Sequence, residues 1–190
     1  MQSEMRRRRT LAAVILLIGL AVGRSAEAQA GGQIHEYVVP NHGKLSLAVA
    51  GELKDFSEPF SEPASVQLRF GPQSGDAFYV QVTSVWLDAP KLAKTTPESL
   101  KTTVATGAEE PLRHAVETEA VLKELRGAET RGFYYSLTDR APGPGEYKYL
   151  SQGSFLTGEL LTVFTILHRE PACPEKETVL QMFAQAKYVK

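Results

Sequence analysis

The sequence predicts an α+β domain: an antiparallel β-sheet meander with helices packed on its faces. Three observations predict it. Residues 119–168 hold four successive β-rich runs joined by two short connections and the loop 139–146, which suit antiparallel neighbours, whereas parallel strands need long crossovers. Two segments, one following Thr96-Pro97 and one over 175–187, repeat apolar residues at helical spacing. The 190-residue chain is 43% hydrophobic and 23% charged, with 15 Gly, 11 Pro and one Cys, which argues against a disordered chain, a collagen-like repeat and a disulfide-stapled miniprotein.

The first thirty residues read as an export signal, followed by a single domain over 31–190. Arg6, Arg7, Arg8 and Arg9 form a positive head, and residues 11–23 are an uncharged stretch of 13 residues. That is well short of the roughly 20 residues that span a bilayer and suits a signal-peptide core. The small-residue patterns Ala26-Glu27-Ala28 and Ala28-Gln29-Ala30 follow, and cleavage is expected after Ala30. The expected mature protein has no stable membrane anchor and is periplasmic or secreted.

Within the domain, runs 34–39 and 44–50 are strands separated by the turn sequence Pro40-Asn41-His42-Gly43. Residues 51–63, with Ser57-Glu58-Pro59 and Ser61-Glu62-Pro63, read as a loop. Runs 66–70 and 77–87 form a hairpin in which Phe78, Val80 and Val82 take one face and Tyr79, Gln81 and Thr83 the other. Thr96 is placed to cap a helix that Pro97 can begin without losing a hydrogen bond, and Leu100, Val104 and Ala108 follow at helical spacing. Gly107 and Pro111 break this segment, leaving a shorter helix over 112–116. Strands are expected over 119–125, 131–138, 147–155 and 160–168. A closing helix over 175–187 presents Val179, Met182, Phe183 and Ala186 to the sheet.

Charge narrows the partners. With the five Arg and two Glu of residues 1–30 removed from totals of 21 basic and 22 acidic residues, the remainder carries a formal charge of about −4. A mildly acidic domain without a Lys/Arg run is a poor partner for nucleic acid. Cys173 is alone, so no internal disulfide forms, and with no base beside it in sequence it reads as an inert thiol.

The stretch Gly132-Phe133-Tyr134-Tyr135-Ser136-Leu137-Thr138-Asp139, then Pro142-Gly143-Pro144-Gly145-Glu146-Tyr147-Lys148-Tyr149-Leu150-Ser151-Gln152-Gly153, then Leu160-Leu161-Thr162-Val163-Phe164-Thr165-Ile166-Leu167, sets an aromatic strand, a Pro/Gly tip and two further strands in order. This order resembles exported domains of the superfamily that includes the PsbP subunit of photosystem II and the nuclear-transport Mog protein. The resemblance covers roughly residues 43–187 and implies an antiparallel sheet with helices on its faces. It carries over no functional residue, because members bind different partners and fold does not dictate function.

Candidate chemistry centres on the tip of that hairpin. Asp139 and Glu146 flank it, with Tyr147, Tyr149 and Gln152 beside them, which suits either a shallow cation or polar-ligand site or a solvated turn whose carboxylates bond their own backbone. The four histidines, His35, His42, His114 and His168, stand in no zinc-binding spacing. Gly153-Ser154-Phe155-Leu156-Thr157-Gly158 is not a nucleophile elbow, and no phosphate-cradling glycine loop is present. Trp86, Tyr134 and Tyr135 either line a pocket or fill the core, and Tyr134 and Tyr135, being adjacent on a strand, face opposite sides. The expectation is an exported, non-enzymatic binding or accessory domain of the cell envelope, without a cofactor, whose partner is a protein or a small ligand. Two alternatives are a hydrolase-type site assembled from Asp139, Glu146 and His168, and a structural subunit with an exposed apolar patch.

Overall fold

A computed structural model describes residues 32–59 and 62–190. The export signal expected over 1–30 lies outside the described residues. Strands β1 (Gln33–Val38) and β2 (Lys44–Val49) pair as an antiparallel hairpin. Its turn uses Asn41 at φ 65° and Gly43 at φ 87°. Glycine is required at position 43 twice over, since a Cβ there would also lie 2.4 Å from the Val189 carbonyl oxygen.

Strands β3 (Leu53–Asp55), β4 (Ser65–Pro72) and β5 (Phe78–Trp86) follow, then helices α1 (Ala89–Lys94), α2 (Pro97–Gly107) and α3 (Glu109–His114). Strands β6 (Lys123–Arg126), β7 (Thr130–Thr138), β8 (Tyr149–Thr157) and β9 (Leu160–His168) form the expected meander. Helix α4 (Pro174–Ala184) and strand β10 (Lys187–Val189) complete the described chain. The large sheet has the order β3-β4-β5-β9-β8-β7-β6, closed by the pairing of β5 with β9; a small sheet has the order β1-β2-β10. All named pairs are antiparallel, and the fold class is α+β.

One face of the large sheet carries the main core. Leu68, Phe70, Val80, Val82, Phe164 and Ile166 from its strands meet Leu45, Leu47 and Val49 of β2 and Val179, Met182 and Phe183 of α4. The rings of Phe155, Phe164 and Phe183 stack in a cluster with centroids 4.8–6.1 Å apart. Trp86 belongs to this side: it packs against the core, its indole N–H donates to Glu159 at 2.8 Å, and its ring stacks on His42. The opposite face is only partly covered. Helix α2 lies over β7 and β8, where Val104 and Ala108 pack with Tyr135 and Leu137. Tyr134 packs against the main core and Tyr135 against this second one, on opposite sides of β7.

Several boundaries differ from the sequence reading. Residues 53–55, read as loop, pair with Phe70 to Pro72 as β3. Helix α1 is capped by the Asp88 side chain, which accepts from Lys91 N. Helix α3 starts at Glu109 rather than 112, because Pro111 falls in the first turn, where a missing N–H is tolerated. Strand β6 begins only at Lys123; the residues before it are held to β7 by Val116 N donating to Thr138 O and by the Glu117 carboxylate accepting from Thr138. The closing helix ends at Ala184, and Ala186 is buried just beyond it, so a residue in phase with the helix belongs to the turn into β10.

Candidate functional site

Period-two alternation and the strand register build one row across the less covered face. Leu137 of β7 pairs with Leu150 of β8, Leu150 with Leu167 of β9, and Leu167 with Tyr79 of β5. Leu150, Leu167 and Tyr79 are half-buried, so the rest of the chain does not fully cover them. Pro111 and His114 of α3, with Ala115, wall one end of the row and enclose a hollow of about 220 Å³ over Leu137, Leu150 and Leu167. Asp139, Tyr147 and Lys148 form its remaining rim.

Tyr147 also lines a second hollow of about 390 Å³, with Phe56, Tyr79, Lys54, Gln73 and Asp76. Phe56 and Tyr79 stack at 6.3 Å between centroids. The Phe56 ring reaches this position by lying against Gly71, where an added Cβ would stand 2.9 Å from it. Arg169 lies 5.3 Å from the Tyr147 ring centroid and bonds Asp76 at 2.6 Å, holding the ring between the two hollows. Burial, and then the Asp76 charge, raise the Tyr147 phenol above its ordinary value against the opposing pull of Arg169, so it stands as a neutral donor at physiological pH.

The five residues singled out in the sequence do not all meet. Asp139 and Tyr147 line the first hollow. The Asp139 carboxylate also accepts from Ala141 N at 2.9 Å, bonding its own turn. Glu146 accepts from Gly143 N at 2.8 Å and lines neither hollow. Tyr149 is on the opposite face, stacked on His168 at 5.0 Å. Gln152 is on the same face as the leucine row but accepts from the buried Tyr135 hydroxyl beside α2. His168 is buried on the side of Tyr149 and bonds the Glu170 carbonyl through Nδ1. Asp139, Glu146 and His168 therefore share no hollow. Parity separates them: Leu167 faces the row, so His168 faces away.

Other reactive groups are engaged structurally. Among the described residues no group of three or more His, Cys, Asp and Glu side chains is placed to hold a metal ion. Burial, together with Glu175, pushes the Cys173 thiol up and favours its protonated form. Sequence reasoning missed Leu137, Leu150, Leu167 and Tyr79 as a unit, because a row across four strands depends on register. The arrangement offers an apolar floor on paired strands, phenols in Tyr147 and Tyr79, and exposed His114 and Lys148 at the rim. A hollow near 220 Å³ accepts a ring-sized group, since an apolar cavity of about 150 Å³ already binds benzene.

No family model matches the chain, and no curated protein matches it. Among solved structures the chain is similar to a crystal structure from Bacteroides thetaiotaomicron VPI-5482, at 11% identity over 77% of this chain and a TM-score of 0.44. It spans 45% of that protein's length. It is also similar to the solution structure of cyanobacterial PsbP (CyanoP) from Synechocystis sp. PCC 6803, at 7% identity over 83% of this chain and 93% of that one, with a TM-score of 0.49. Neither likeness transfers a residue role. Among the described residues no helix is long and apolar enough to cross a membrane.

Proposed function

We propose that this chain is an exported, non-enzymatic binding or accessory domain of the cell envelope, of PsbP/Mog-like architecture, and that it seats its ligand in the groove over Leu137, Leu150, Leu167 and Tyr79. The observation that carries the reading is that row on paired strands, in which Leu150, Leu167 and Tyr79 are incompletely covered, walled by α3 and divided by Tyr147. Binding sites are concave and mostly apolar with a few placed polar groups, and this groove has that composition. The sequence features of the first thirty residues support export. Asp139 bonds its own turn, and it shares no hollow with Glu146 or His168, which favours recognition over acid–base chemistry.

The test is a titration with p-cresol, followed through backbone amide shifts. Shifts confined to Ala115, Leu137, Tyr147, Leu150 and Leu167, and abolished in Leu150→Trp, are the expected result. Shifts scattered over the surface, or unchanged in that variant, contradict the reading.

A second reading, a subunit of an envelope assembly, draws on Val85 and Val163, which are 39% and 46% exposed on the same face of β5 and β9. Concentration-dependent self-association in sedimentation, lost in Val163→Lys, would favour it.

A further inference from the structure

We infer that the occupant of the groove is an extended segment of a partner protein that places an aromatic or aliphatic anchor in the first hollow and a carboxylate beside Lys54 at the other end of the floor. This rests on the binding reading above and adds the class of partner. Three observations lead to it.

The first is length. The floor runs from Phe56, seated on Gly71 of β4, across Tyr79, Leu167 and Leu150 to Leu137 of β7, five adjacent strands. Four inter-strand gaps of about 4.8 Å make roughly 19 Å, and an extended chain advancing about 3.3 Å per residue covers that with about six residues. A single small molecule fills one hollow and leaves the other empty.

The second is charge. In the aromatic hollow Asp76 is bonded to Arg169 at 2.6 Å, while Lys54 is exposed and, among the described residues, has no carboxylate within ion-pair distance. In the leucine hollow the Asp139 charge remains beside Lys148, whose Nζ lies 5.9 Å from the Tyr149 ring centroid. The unneutralised ammonium therefore stands at one end of the floor, where it selects a segment with a carboxylate at that end and opposes a basic one.

The third is orientation. The groove crosses the strands instead of following an open edge, and its floor strands β5, β9 and β8 are paired on both sides. Their backbone groups are occupied, so the segment is read by side chains and not by strand addition.

The experiment is selection of a random heptapeptide library, displayed on phage, against the purified full chain. The enriched peptides are expected to carry an Asp or Glu several residues from a Phe, Trp, Tyr or Leu. The strongest, made synthetically, is expected to be displaced by p-cresol and to lose affinity tenfold or more for Lys54→Glu. Lys54 is exposed, so this substitution leaves the core untouched, and Leu150→Trp supplies an independent block. Neutral or basic consensus peptides, affinity unchanged by the charge reversal, or no enrichment at all would overturn the inference. If p-cresol still shifts the hollow residues in those cases, the binding reading stands and only the occupant is wrong; if it does not, both fall.

Discussion

Removing the hydroxyl of Tyr135 separates a structural role for Gln152 from a ligand-binding one. Tyr135 is 1% exposed, and its hydroxyl is within hydrogen-bond distance of the Gly107 carbonyl at the end of α2 and of Oε1 of Gln152. Tyr135→Phe keeps the ring and its packing but removes the one donor both acceptors use. Gln152 is half-buried and Gly107 exposed, so water reaches the acceptors left behind and the loss is that of the bond itself, about 1 kcal/mol. For a chain of this length that lowers Tm by about 2–4 °C. Gln152→Leu leaves the phenol bonded to Gly107, so its cost is about 1 kcal/mol or less. The double variant orphans less than the two singles together, giving a coupling of about 1 kcal/mol in a double-mutant cycle. Urea unfolding of the four proteins measures all three values. Tyr135→Phe within 0.5 kcal/mol of the parent, or a coupling of zero, would refute the reasoning and return Gln152 to the pool of free ligand-binding groups.

Four further outcomes follow from the structure. Burial pushes the Asp55 carboxyl up, but hydrogen bonds from Ser57 and Tyr37 together outweigh it and hold the group below the usual carboxylate range. Its stabilisation is therefore full above about pH 4 and is lost as pH falls through the depressed value; Asp55→Asn is expected to flatten the acid limb of urea midpoint against pH, and parallel curves would contradict this. Burial lowers His168, against the Glu170 carbonyl that favours its charged form, so its imidazole is expected to titrate below about pH 6.5 by NMR and to stay unprotonated in the fold where an unfolded chain is already charged. Stability should accordingly fall as pH drops below that point; an imidazole titrating at or above it would be inconsistent with the burial. Gly127→Ala places a Cβ 1.6 Å from the Ala184 carbonyl oxygen, a backbone atom that no rotamer change relieves, and about 3 kcal/mol of destabilisation is expected. Gly107→Ala, at the last residue of α2 with open space around it, is expected to stabilise by about 0.4–1 kcal/mol in the same assay.

The legible parts of the fold are those set by local pattern. In β5, Phe78, Val80 and Val82 are buried while Tyr79, Gln81 and Thr83 are half-buried, as strict alternation requires. The β6–β9 meander is visible because each strand pairs with its sequence neighbour. The pairing of β5 with β9 and the departure of β1 and β2 into a second sheet depend on which faces bury together, and periodicity carries no such information. The same division holds at the site. Asp139 and Tyr147 flank a turn that Pro and Gly announce, and both reach the hollow. Tyr149 and Gln152 are three residues apart on one strand, so alternation alone already sends them to opposite faces, a signal available in the sequence. The row Leu137–Leu150–Leu167–Tyr79 spans residues far apart in the chain and exists only once register aligns them.

The most direct test of the binding groove is a crystal of the protein soaked with 4-bromophenol, the bromine being located by its anomalous signal. The account predicts an anomalous peak above Leu150 and Leu167, between Ala115 and Tyr147. Bromine sites found only elsewhere on the protein, with that hollow holding none, would contradict it.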